Sequence, residues 1–322
     1  MNCRSNIRLQ SKRLSHKKTA EGRRSHHKIL ERSICAWISK SSDVLKASDM
    51  AGNTSRRIHD FQDTKFEQDS MKRIHFLTKS AAAKGCRDNG ASAQQAEKIL
   101  LTLEKRQLKP TAQMYIAVMK CWAKSMHRDA GARAESWLDK MQALHSSGLK
   151  LDNIAYNTVI HAYANIGKGA DAERILNRHI CAYRRGFVDS PPDIVSYSST
   201  IHGYAKCRKP EDAERILQQV EDLELSGETS LKPGIYCYSA VINAYAKSRG
   251  GKKEYKRVMR ILEKMEQAGI SNTVTYTSVI TFLGRINEPW AEKKAIGMLN
   301  DMWDMHQEGN MSVKPNRGEV LK

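Results

Sequence analysis

The sequence predicts an all-α solenoid of stacked helix-turn-helix hairpins. Three observations carry that reading. A motif recurs every 41 residues. Both halves of each period place apolar side chains at helical spacing. Gly and Pro mark the joins, at Gly167, Gly169, Pro191-Pro192, Gly250-Gly251 and Pro289.

The chain opens on a basic segment, residues 1–65. Residues 1 to 60 carry 14 Lys/Arg against 5 Asp/Glu, and Glu21 and Glu31 are the only acids before Asp43. Ile7, Leu9 and Leu14 lie among Arg4, Arg8, Lys12 and Arg13. Arg-rich, Ser-rich and acid-poor composition fits an organelle transit peptide best. A basic arm that touches nucleic acid and a nuclear import patch share the same composition. Little stable fold is expected before about residue 65.

Residues 66–111 read as a degenerate repeat. A worn copy of the first half covers His75 to Lys84, and Ala96-Glu97-Lys98-Ile99-Leu100 is a loose copy of the second. Clear units follow. Tyr156-Asn157-Thr158-Val159-Ile160-His161-Ala162-Tyr163-Ala164 recurs 41 residues on from Tyr197 and again from Tyr238. Earlier and later copies start at Tyr115 and Tyr276. In the second half, Asp171-Ala172-Glu173-Arg174-Ile175-Leu176 recurs with six identities at Asp212 to Leu217. Tyr156, Val159, Ile160 and Tyr163 fall on one stripe of a helix, as do Ala213, Ile216, Leu217 and Val220. Each unit is therefore helix A, a turn and helix B. One hairpin cannot bury its stripe alone, but stacked neighbours cover one another. The tyrosines and paired aliphatics are expected to be that packing seam.

Other classes of protein leave no trace. No apolar run is long enough to span a membrane. The seven cysteines (Cys3, Cys35, Cys86, Cys121, Cys181, Cys207 and Cys237) are odd in number and nowhere closer than 26 residues, which suits neither a disulfide framework nor a zinc ribbon. They read as reduced thiols, with Cys121 and Cys237 inside apolar helical patterns. His26-His27 lacks further metal ligands at suitable spacing. No GxxxxGK, HExxH or GxSxG motif occurs, and Arg249-Gly250-Gly251-Lys252 has neither the spacing nor the preceding strand of a phosphate loop. A non-enzymatic binding protein, with no cofactor, metal or small-molecule substrate, is the expectation. The net charge of +19 asks for a polyanionic partner, most simply nucleic acid.

The tyrosine motif, the Asp-Ala-Glu-Arg-Ile-Leu segment and Pro192-Asp193-Ile194-Val195-Ser196-Tyr197 together resemble the pentatricopeptide repeat family. The resemblance covers roughly residues 70 to 316, as units 112–152, 153–193, 194–234, 235–272 and 273–316, with 317–322 starting a truncated repeat. It implies a right-handed superhelix akin to tetratricopeptide arrays. It further implies a single-stranded RNA partner, a mitochondrial or plastid location, and a role in RNA processing, stability or translation.

The family reads one base per repeat, through the residue after the helix A tyrosine and the last residue of the repeat. Carried over, those pairs are Asn157 with Asp193, Ser198 with Gly234, Ser239 with Asn272, and Thr277 with Asn316. In unit 112–152 they are Ile116 with Asp152, and an aliphatic Ile can neither donate nor accept. The implied register, 5′ to 3′, is unread, U, weak, A, A. Ile154, Val195, Tyr236 and Val274 take the family's stacking place, with Gln113 departing from it. The plainer use of a short polar side chain here is a helix N-terminal cap.

Lys124, Lys206, Lys247 and Arg285 fall nine places after their tyrosines, where Asn165 stands in unit 153–193. They suit phosphate contact, or complement a helix C-terminus. Lys252, Lys253, Lys256 and Arg257 read as a solvated basic face. The units run 38 to 44 residues, longer than is usual for the family. The surplus lies at Arg184 to Asp189, Ser226 to Leu231 and Ser248 to Glu254. An alternative partner is a protein, with the solenoid as a scaffold on an organellar ribosome or complex. A regular Asn/Ser/Thr series beside a cationic series is not something a peptide binder requires.

Overall fold

The structure is a computed structural model. It describes residues 51–84, 90–144, 149, 151–227, 231–248, 250–308 and 313, with side chains from residue 63 except that of Lys84. Asn316, Arg249, Cys3, Cys35, Cys86 and residues 1–50 lie outside the described residues. Contacts divide the chain into Met1–Phe66 and Glu67–Lys322.

Twelve helices and no strand occur among the described residues. They are α1 (Ala51–Lys84), α2 (Ala91–Lys105), α3 (Ala112–Ser125), α4 (Ala130–Ala143), α5 (Asn153–Asn165) and α6 (Gly169–Arg184). They continue with α7 (Ile194–Lys206), α8 (Pro210–Leu225), α9 (Ile235–Lys247), α10 (Lys252–Gln267), α11 (Thr273–Arg285) and α12 (Pro289–Gln307). The second unit is an α-solenoid of hairpins. Helices α3, α5, α7, α9 and α11 pack on one another in turn, and α4, α6, α8 and α10 each pack against their own helix A and the next. Among the described residues no helix is long and apolar enough to cross a membrane.

One expectation at the N-terminal side changes. Helix α1 begins at Ala51, inside the segment expected to lack fold up to about residue 65. After Gly52 the stretch to Lys84 holds no Gly or Pro, so nothing interrupts a helix once begun. Its second half behaves as a helix A: Ile74 and Ala81 are fully buried, and Ile74 stands 41 residues before Tyr115.

The seam is as the periodicity requires. Tyr156, Val159 and Ile160 are fully buried and Tyr163 nearly so, with the same pattern at Val241, Ile242 and Tyr245. Cys121 and Cys237 pack in it as small apolar groups. The helix starts follow from capping chemistry. Asp152, Asp193 and Asn272 accept the N–H three residues on, at 3.0, 3.0 and 3.1 Å. Pro210 and Pro289 open α8 and α12, where a missing N–H costs nothing.

The charged residues of Asp-Ala-Glu-Arg-Ile-Leu join the hairpins. Glu173 on α6 takes the Tyr204 hydroxyl from α7 and a forked Arg215 from α8 at 2.9 and 2.8 Å. Glu135 does the same for Tyr163 and Arg174, while Glu214 takes the Tyr245 hydroxyl and a single N–H of Arg257 at 3.0 Å. Arg215 holds the Glu173 carboxyl below its usual range, against an opposing effect of burial. Burial, then Glu173, pushes the Tyr204 phenol up, so it stays a donor. A second set uses the first tyrosine of helix A: Tyr115 with Glu104 (2.9 Å), Tyr238 with Glu221 (3.0 Å) and Tyr276 with Glu266 (2.7 Å). Lys140 and Lys264 complete two of these at 2.6 Å.

Candidate nucleic-acid interface

Helix A sets the interface by spacing alone. Residues at −2, +1, +5 and +9 from its first tyrosine lie three or four apart, hence on one face. Stacking in register then turns each place into a row across the array.

The row expected to stack on bases is open. Ile154, Val195, Tyr236 and Val274 are 49, 51, 84 and 63% exposed, unusually high for such side chains and repeated at one place in each helix. The row expected to read bases, Asn157, Ser198, Ser239 and Thr277, is half-buried beside it. In two of these the hydroxyl hydrogen is committed to the helix's own backbone, Ser198 to Val195 O at 3.2 Å and Thr277 to Thr273 O at 2.7 Å. Each therefore faces outward mainly as an acceptor.

Asn157 is held from the next hairpin. Its Nδ2 donates to Asp193 Oδ1 and Oδ2 at 3.0 and 3.1 Å, and the Ser196 hydroxyl donates to its Oδ1. The amide is thus fixed in one orientation, with a second N–H left for an incoming acceptor. The extra length of loop before Asp193 does not carry it away from Asn157. Capping and pairing fall on the same carboxylate, because the last residue of one repeat is the N-cap of the next helix A. Asn272 also caps, its Oδ1 taking both Thr275 N and Thr275 Oγ1 at 3.1 Å. Gly234 offers no side-chain cap at the start of α9. Ile116 is buried, and Gln113 and Asp152 are exposed.

Lys124, Lys206, Lys247 and Arg285 all fall in the last turn of helix A and are exposed. Lys206 donates to Asn165 O of the preceding helix A at 2.8 Å, and Asn165 donates to Ala123 O at 3.0 Å. This place therefore ties helix ends together as well as carrying charge. Arg257 belongs to the Glu214 set, while Lys252, Lys253 and Lys256 are exposed.

The +5 row escaped the sequence reading. Lys120, His161, His202, Asn243 and Thr281 occupy it, all exposed. Desolvation, then Lys206 and Lys124, push His161 below the usual imidazole range while the residue stays exposed. His202 is lowered by the same desolvation, then by Lys206, His161 and Lys247. The signal was present, as a polar residue five places after each tyrosine.

The family model described as pentatricopeptide repeat domain matches residues 138–179, 188–248 and 224–285. Those stretches are pentatricopeptide repeats. Two crystal structures of the pentatricopeptide repeat protein PPR10 in complex with an 18-nucleotide psaJ RNA element are similar at 21% identity and a TM-score of 0.40, over 76% of this chain and 35% of theirs. The crystal structure of PPR10 from maize is similar at 20% identity and a TM-score of 0.31, over 76% and 40%. The pentatricopeptide repeats described here thus span well under half the length of those chains. No curated protein gives a significant match.

Proposed function

We propose that this pentatricopeptide repeat chain binds single-stranded RNA along the helix A face, one nucleotide per hairpin. The observation that carries the reading is the shared register of Asn157, Ser198, Ser239 and Thr277, each beside an exposed apolar residue three places earlier. A polar atom at a base edge and an apolar surface at a base face are the two contacts an unstacked nucleotide needs. The Asn157–Asp193 pair takes U, the Ser239–Asn272 pair takes A, and Thr277 with Asn316 takes A. The exposed cations ending helix A neutralise phosphates. The protein acts passively on an organelle transcript, in a mitochondrion or plastid, by shielding or presenting it for processing, stabilisation or translation.

The test is selection from a random single-stranded RNA pool at two salt concentrations. Enrichment of sites with U followed two places later by A-A is expected, lost on Asn157→Ala with Ser239→Ala. Asp193→Asn keeps the cap within a few tenths of a kcal/mol but removes the carboxylate from Asn157, and should lower the preference for U at that place. No retention of RNA at low salt overturns the proposal and points to a protein partner.

A further inference from the structure

Unit 112–152 lacks a reading side chain, yet the structure places a cavity of about 330 Å³ there. Its wall includes Gln113, Ile116, Lys120, Asp152, Ile154 and, from the preceding hairpin, His75. Thr78 of α1 donates to Ile74 O of its own helix at 2.9 Å and comes within 3.3 Å of Ala117 O of α3, where the two helices that form the floor meet. His75 stands 41 residues before Ile116, and Ile116 41 before Asn157, so the imidazole occupies the reading row of the degenerate unit.

We infer that this cavity is a guanine-selective nucleotide site, built from His75, Lys120 and Asp152 where Ile116 cannot read. The inference rests on the RNA-binding reading above and deepens it at one position. The apolar surfaces of Ile116 and Ile154 suit a base face, and an imidazole is a stacking platform for another. The polar groups have opposite sign. Asp152 uses Oδ1 to cap α5 through Ala155 N at 3.0 Å, and its carboxylate remains exposed on the wall. Lys120 is exposed as well and lies one turn along from Ile116. Guanine alone presents two donors on adjacent atoms, N1–H and N2–H, which match the two oxygens of a carboxylate. Its O6 and N7 are acceptors for an ammonium. Adenine turns an acceptor, N1, toward the carboxylate. Uracil offers a single N–H between two carbonyls. Cytosine offers one amino group beside an acceptor, and is the nearest competitor.

The experiment is fluorescence anisotropy with the full chain and four labelled RNAs. Each carries N-U-C-A-A between fixed cytidine flanks, with N as G, C, A or U. G is expected to bind about tenfold tighter than C, the scale of one good bidentate base contact. Asp152→Asn retains the helix cap, and Lys120→Ala alters an exposed side chain. Each should reduce that ratio to below about threefold. Asn157→Ala should weaken all four RNAs and leave the ratio between them unchanged. Equal binding of the four RNAs, with Asn157→Ala still weakening them, overturns the guanine site and leaves RNA reading intact. Preference for C or A overturns it too. Failure of all four to bind the wild-type chain sinks both readings.

Discussion

Glu173 on α6 receives Arg215 of α8 through two hydrogen bonds, 2.9 and 2.8 Å long, across 42 residues of sequence. The same carboxylate takes the Tyr204 hydroxyl from the helix A lying between them. One side chain thus joins helix B of one hairpin to both helices of the next. The rows of side chains along helix A stay in line only if successive hairpins keep a fixed rotation, and these contacts hold it.

Glu173→Gln should therefore destabilise the array by about 1 kcal/mol, since a charge-assisted bond is lost but Arg215 is half in solvent. A double-mutant cycle with Arg215→Met, followed by urea unfolding, should show coupling. Additive losses would mean the contact is idle. The joint before 273–316 carries Met259 and Leu283 where this joint carries Glu173 and Tyr204. Amide exchange should be faster in α11 and α12 than in α7 and α8.

Gly169→Ala should cost about 1–3 kcal/mol by overpacking, although alanine is the better helix former. A Cβ there would stand 2.6 Å from Tyr204 Cδ1 and 2.8 Å from its backbone N. Gly284→Ala, where a Cβ meets open space, is the contrasting variant and should be neutral or stabilising. Thermal melts of both variants check this, and equal Tm values would contradict it.

Stability should fall as pH falls below about 6.5, the ordinary imidazole value. His179 is fully buried, stacked on Tyr156 with ring centroids 4.5 Å apart, with Nε2 3.1 Å from Asn153 Oδ1. Burial pushes its imidazole below the usual range, against weaker opposing effects of Ser190 and Asp193. The unfolded chain then binds the proton at a pH where the folded one does not, so acid favours unfolding. The decline should continue until the folded imidazole also titrates. Tm measured from pH 7.5 to 5 should fall less steeply in His179→Gln than in the wild type.

Lys247→Ala should reduce the salt slope of RNA binding by about 1 with little change in Tm. Lys206→Ala should reduce the same slope and also lower Tm, because its ammonium holds Asn165 O. Filter binding across 50–200 mM salt, beside melts of both variants, separates the two roles.

Much of this molecule was legible from its letters, and particular residues show why. Tyr156, Val159, Ile160 and Tyr163 announced a buried stripe because helical spacing is a local property. The place of Asn157 one residue after the tyrosine announced its row for the same reason. Glu173 and Arg174 were opaque. Side by side on a helix their spacing names no partner, whereas Glu173 reaches forward to Tyr204 and Arg215 while Arg174 reaches back to Glu135. Gly169 read as punctuation, and is instead the place where a tyrosine ring meets the backbone.

The amino-acid order by itself determined the hairpins, their period and the row to which each side chain belongs, since these need only a helix of 3.6 residues per turn. The stacking of hairpins decided the rest: the carboxylate locks between units, the grip of Asp193 on Asn157, and the cavity shared by His75 and Asp152. Those depend on groups tens of residues apart meeting at hydrogen-bond distance, and a repeat period sets neither the rotation nor the approach that brings them together.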